Sequence, residues 1–173
     1  MSFFDFSVGQ AKLALDALEA ILKKAQSAPN AAELPLAKIH DDMLPLAFQV
    51  NVATDISNKI VARLLGEEPP AYKWEDLKTF DDFFARINTV KAILDKATKD
   101  TINASQEKTV PLGVGPGKPA LQVSGYAYVT AYGLPNVYFH VVTAYNILRK
   151  EGIPLGKMDY LGPYMGPYMP KSE

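Results

Sequence analysis

The chain has 173 residues, 18 basic against 19 acidic side chains, and no cysteine. That length is one ordinary domain, able to bury roughly 70% of its unfolded surface and to fold without a disulfide or a metal. The missing cysteines exclude thiol catalysis, thiolate metal sites and redox motifs, and the balanced charge argues against a nucleic-acid or anionic-membrane partner.

From about Ser7 to Ala28, Ala11, Leu15, Leu18, Leu22 and Ala25 recur at steps of four and three. They share one stripe of a helix, with Lys12, Asp16, Glu19 and Lys23 on the other side. Ser7 is the expected cap and Pro29-Asn30 the stop. Residues 31–41, with Pro35 in the middle, read as a turn or broken helix.

A second helix is expected to begin at Asp41 or Asp42, where a carboxylate caps the start and Pro45 falls in the first turn. Leu46, Val50, Ala53, Ser57, Ile60 and Leu64 continue its inward stripe, and Gly66 ends it. Thr79-Phe80-Asp81-Asp82 is a capping box with aspartate in place of glutamate. The third helix behind it carries Phe80, Phe83, Phe84, Ile87, Val90 and Leu94 inward and frays near Lys99.

Residues 109–123 read as a loose hairpin, with Gly113-Val-Gly-Pro-Gly117 at the tip. Those glycines lack the spacing and the strand-to-helix context of a phosphate loop. Ser124 can cap a short turn through Tyr132, which Gly133-Leu134-Pro135 interrupts. The last helix is expected from about Asn136 to Glu151, with Gly152 as its cap. The tail repeats Gly-Pro-Tyr-Met at 162–165 and 166–169, a composition incompatible with a helix.

Four helices with one apolar stripe each predict an all-α four-helix bundle, with a small β-hairpin inserted before the last helix. The 13 residues from Gly66 to Lys78 can stretch roughly 43 Å. A 20-residue helix is only ~30 Å long, so this connection can cross the bundle and leave the second and third helices parallel.

His140 is the polar residue most clearly placed on an inward stripe. Asn136, Val137, Ala144, Ile147 and Leu148 surround it, and Thr143 flanks it. Asp42 and Gln49 fall near the inward stripe of the second helix, so Asp42, Gln49, Asn136 and His140 can form a polar cluster facing the bundle axis. Buried polar groups must be paired, and such pairs either serve packing or line a site. Asp159 is expected to pair with Lys157 or Arg149, with Leu155 or Leu161 covering the bundle's end. Eight of the nine tyrosines follow residue 125, among them Tyr126, Tyr128, Tyr132, Tyr138 and Tyr145. They read as core packing with hydroxyls at a rim, or as a pocket or interface. The two histidines, His40 and His140, form no H-E-x-x-H or H-x-x-x-H pair, which leaves a metal site short of ligands.

Pro135-Asn-Val-Tyr-Phe-His-Val-Val-Thr-Ala-Tyr-Asn-Ile-Leu-Arg149, followed by Gly152-Ile-Pro-Leu-Gly-Lys-Met-Asp-Tyr-Leu-Gly162, resembles the signature of an uncharacterised family. This is a domain-of-unknown-function branch of the DinB/YfiT-like superfamily, bacterial and fungal. Asp42-Met-Leu-Pro-Leu-Ala-Phe-Gln49 resembles its other motif, and Leu65-Gly-Glu-Glu-Pro-Pro70 the loop that follows. The resemblance covers roughly residues 5–162 and implies a single DinB-like domain over 1–162, in up-down-down-up order, with 163–173 as an added tail. Many DinB-like proteins hold a divalent metal with three histidines, and relatives transfer or hydrolyse thiol-linked groups. This chain offers only His140 at a comparable inward position.

Three functional readings stay open. The first is a small-molecule protein without cofactor or metal. Its polar pocket lies between the second and last helices, with His140 and Asp42 as catalytic residues and Gln49, Asn136, Thr143 and Tyr145 binding the ligand. The second is a metal-dependent hydrolase or transferase using His140, Asp42 and His40. The third is a structural homodimer whose polar core fixes helix register. No apolar run approaches the ~20 residues of a membrane span. The opening Met-Ser-Phe-Phe-Asp lacks the basic region of a secretory signal, so a cytoplasmic location is expected.

Overall fold

The structure is a computed structural model and describes residues 2–115 and 117–169. A π-helical turn, Asp5–Gly9, runs directly into helix α1, Gln10–Ala25. Ala11, Leu15, Leu18, Leu22 and Ala25 are all buried, as their spacing predicts. Ser7 is not the cap. It lies inside the π-turn, fully buried, and its hydroxyl donates to the Phe3 carbonyl at 2.6 Å. A 3-10 turn at Leu34–Leu36 occupies the segment around Pro35.

Helix α2, Leu46–Leu65, starts later than expected, with the extended Pro45 at its N-cap position. Asp41 and Asp42 stay in an exposed turn before it and cap nothing. A proline disfavours helical conformation in the residue before it, which weighs against Leu44 joining a helix begun at Asp42. Fourteen of the twenty residues of α2 are buried, including the whole predicted stripe. It is the central helix, and Gly66 ends it in the left-handed conformation at φ 77°.

Helix α3, Phe80–Lys96, opens on the predicted capping box: the Asp82 amide donates to the Thr79 hydroxyl, and the Thr79 amide donates to the Asp82 carboxylate. Phe84 alone of the predicted stripe is only half-buried. After a break at Ala97, Thr98 caps a short helix α4, Lys99–Asn103. Strands β1, Thr109–Leu112, and β2, Leu121–Ser124, pair antiparallel in the register Val110↔Val123.

Ser124 caps a short helix α5, Gly125–Ala127, through the Ala127 amide. A π-helical turn, Tyr128–Gly133, then leads into α6, Leu134–Lys150. Gly133-Leu134-Pro135 therefore does not interrupt the helix. Pro135 falls where the π-turn passes into α6, in the first turn of that helix.

Helix α7, Lys157–Met165, continues past residue 162 with Pro163 inside it, and a 3-10 turn covers Gly166–Tyr168. The tail is thus helical as far as Tyr168. Tertiary packing overrides its composition: Tyr164 packs on Tyr160, one turn away, and edge-on against Tyr138, against the core. The tail beyond Met169 lies outside the described residues.

Side-chain contacts fix the order of the bundle. Tyr138 donates to Gln10 at 3.1 Å and Asn30 to the Glu151 carbonyl at 3.3 Å, so α1 and α6 run parallel. Lys12 pairs with Asp95 and Lys91 with Asp16, each at 2.5 Å, so α3 runs opposite to α1. Arg86 donates to Asn51 at 2.9 Å, near the starts of both α3 and α2, so these two are parallel. The result is the up-down-down-up bundle. The connection after Gly66 crosses it, held where the Arg86 guanidinium stacks 4.1 Å from the Tyr72 ring. The small sheet sits outside the bundle, beside α2.

Candidate functional site

Gln49 and His140 meet where α2 packs on α6. The buried Gln49 amide donates from Nε2 to the Leu44 carbonyl at 2.9 Å, and its Oε1 lies 2.7 Å from His140 Nδ1. A carbonyl can only accept, so Leu44 orients the amide and turns its oxygen to the ring. An oxygen acceptor there requires the proton on Nδ1, which leaves Nε2 as a lone pair. Among the described residues, the buried side-chain polar atoms without a partner are Asn58 Nδ2 and the Tyr164 hydroxyl. Among the described residues His140 Nε2 has no protein partner, and it is not one of these buried atoms, so it is not fully shielded from solvent.

Burial pushes the His140 pKa down from 6.5 to about 4, keeping the ring neutral at ordinary pH. The surroundings explain this. The Phe48 ring stands edge-on 6.0 Å from the imidazole and the Phe139 ring 5.2 Å away, at 87°. Trp74, from the crossing connection, lies 6.5 Å beyond Phe48. Phe139 is 61% exposed, so the aromatic wall reaches solvent.

The other predicted residues are placed differently. Asp42 does not approach His140. It stands in the exposed turn before α2 and pairs with His40 Nδ1 at 2.7 Å. Asp42 was expected on α2's first turn, and the late helix start removes it from that stripe. Thr143 is buried next to His140, but its hydroxyl donates to the Phe139 carbonyl of its own helix at 2.7 Å. Asn136 is half-buried one turn earlier and takes no part in the Gln49–His140 pair. Tyr145 faces the other side of α6, its hydroxyl 3.4 Å from the Leu155 carbonyl. The aromatic set of Phe48, Phe139 and Trp74 escaped the sequence reading. Its signal was there, since Phe48 precedes Gln49 and Phe139 precedes His140.

Asp159 forms the expected kind of lock with a different partner. One oxygen pairs with Lys24 of α1 at 2.7 Å and the other accepts the Gly156 amide at 2.7 Å, capping α7. Arg149 instead donates to the Ile153 carbonyl, and Leu155 is buried.

The three-histidine metal centre of DinB-like proteins does not fit these residues. His140 commits Nδ1 to Gln49 and faces phenylalanine rings, and His40 is tied to Asp42 in an exposed turn. Among the described residues, no group of three His, Asp or Glu side chains converges. Five of the better-formed cavities of the described chain, of 230–460 Å³, are lined by residues other than His140. Where the polar pocket was expected, the structure shows a paired polar contact between Gln49 and His140 with the Phe48 and Phe139 rings beside it.

Comparison with known proteins agrees with this architecture. A crystal structure of a DinB family member protein from Shewanella denitrificans superposes with a TM-score of 0.80 at 30% sequence identity, covering 98% of this chain and 94% of that one. Among curated proteins nothing matches. No helix among the described residues is long and apolar enough to cross a membrane. Residues 3–161 match the family described as "Domain of unknown function (DUF1993)". The chain belongs to the DUF1993 family and has the DinB-like fold.

Proposed function

We propose that this protein binds a small organic molecule at the His140 end of the α2–α6 seam, without a metal, through the lone pair of His140 Nε2. One observation carries the reading: a neutral imidazole whose Nδ1 proton is fixed by Gln49 while Nε2 remains unpaired and not fully shielded from solvent. Such a nitrogen accepts a hydrogen bond from an O–H or N–H group. Because the ring holds a second proton only near pH 4, it is a weak base and a good neutral acceptor. Phe48 and Phe139 supply apolar edges for a flat ligand. The ligand class that suits these features is an uncharged aromatic or heteroaromatic molecule bearing one hydrogen-bond donor, such as a phenol or an azole.

Trp74 is the single tryptophan of the chain and stands behind Phe48, so its fluorescence reports on the site. Phenol and pyrazole are suitable first probes, each titrated against the wild type and His140→Phe. A saturable change in Trp74 emission that is lost in the folded His140→Phe variant supports the reading. No saturable change with either probe, or equal changes in both proteins, contradicts it.

A further inference from the structure

We propose a second ligand site, for a compact organic anion carrying a carboxylate or phosphate group, in the open cavity lined by α2, the Tyr128–Gly133 π-turn, and Gly113 and Gly115 of the hairpin. It lies on the far side of Gln49 along α2, since Lys59 is ten residues further on, about 15 Å along the axis. It is therefore separate from the His140 site.

The cavity has a volume of about 310 Å³, which suits a small metabolite-sized ligand. Lys59 and Arg63, at i and i+4, project from one face of α2 into it. Tyr128 and Tyr132 face them from the π-turn, with ring centroids 5.6 Å apart. Gly113 and Gly115 form part of the lining. A cavity that gathers two cations, two phenols and side-chain-free backbone is equipped to hold an anion.

The charges leave room for one. Lys59 is paired on its own helix with Asp55 at 2.5 Å. Arg63 gives one bond, from Nη1, to Glu68 at 3.0 Å, but that carboxylate is 89% exposed and the pair is weak. A guanidinium has five N–H donors, so most of those of Arg63 remain for a ligand. Tyr128 is 2% exposed and lines the cavity, and among the described residues its hydroxyl has no hydrogen-bond partner and is not one of the fully buried unpartnered atoms. Burial pushes its pKa up to about 12, which keeps the phenol a proton donor.

The backbone supports the same use. A π-turn is a local irregularity in the helix, of a kind frequent at functional sites. Here it directs Tyr128 and Tyr132 toward one cavity. Gly115 sits at φ 122°, a conformation that side chains rarely adopt, so the tip keeps its shape only with glycine there.

The test is an NMR titration of the full chain with inorganic phosphate and, separately, with succinate, at ionic strength held constant with sodium chloride. The Gly113 and Gly115 amides are the readout. A saturable shift with phosphate assigns a phosphoryl ligand, with succinate a carboxylate, and with both the shared anion chemistry. In each case affinity is expected to fall about tenfold or more in Arg63→Gln, and by a smaller factor in Tyr128→Phe, which keeps the ring packing. His140→Phe should leave it unchanged, which separates this site from the one at His140. No saturable shift beyond that of sodium chloride with either anion overturns the proposal. So does binding that survives in both Arg63→Gln and Tyr128→Phe.

Discussion

Gln49 uses both ends of its amide at once, one on the Leu44 carbonyl and one on His140, and so couples the entry of α2 to α6. Replacing either partner alone strands a buried polar group and should cost about 1–3 kcal/mol. Gln49→Leu combined with His140→Phe should cost clearly less than the sum, because neither orphan is then left. Urea unfolding of the two single variants and the double variant checks this, and strict additivity would show that the contact is not formed. The same histidine shapes the pH response. Unfolded, its ring takes a proton near 6.5, and folded only near 4. Between those values the unfolded chain holds a proton that the folded chain lacks, so stability falls as pH drops from about 6.5 to about 4 and levels off below. For a half-buried ring, screened by solvent, this amounts to about 1–2 kcal/mol. The Asp82 and Asp159 carboxyls, held below the usual range by their hydrogen bonds, lose their contributions at lower pH. Wild type and His140→Phe, unfolded in urea at a series of pH values, should therefore differ in slope mainly between 4 and 6.5.

At the scale of elements, the hairpin was read from the sequence and α7 was not, and both are open to test. Gly125 follows β2 directly, and its amide donates to the Lys108 carbonyl at 2.8 Å. A Cβ there would lie 2.5 Å from the Ser105 carbonyl oxygen and 2.7 Å from Leu64 of α2. Backbone cannot retreat as a side-chain tip can, so Gly125→Ala should destabilise by about 1–3 kcal/mol, read from the urea midpoint. For α7, Asp159→Ala removes the cap at Gly156 and the pair with Lys24 together. A loss of about 0.5–2 kcal/mol is expected, with faster amide exchange confined to α7. The stripe Ala11–Ala25, the Thr79 capping box and the Gly66 stop were legible because each rests on residues within one or two turns. The Lys24–Asp159 pair was not, because its partners are distant in sequence and no local pattern links them. Helix α7 was hidden by Pro163, whose local preference yields to the packing of Tyr164 on Tyr160 and Tyr138.

Across the whole molecule, the fold class was readable from apolar periodicity, and the bundle order was implied by the family resemblance and permitted by one long connection; the family match and the DinB-like neighbour agree with the fold class. The site was readable in part. His140 and Gln49 were placed together because both lie on regular inward stripes of long helices. Asp42 was misplaced by one error, the start of α2, and that error removed the carboxylate from the histidine. What remains is a neutral histidine held by Gln49 beside aromatic edges, without the acid–histidine pair. The protonation state of His140 decides between them. A long-range ¹H–¹⁵N spectrum of the folded protein near pH 7, assigned with the aid of His40→Asn, reads it directly. The account predicts a protonated, pyrrole-type Nδ1 and a bare, pyridine-type Nε2, persisting until the pH approaches about 4. A proton on Nε2, or a ring that becomes cationic near pH 6.5, would contradict it.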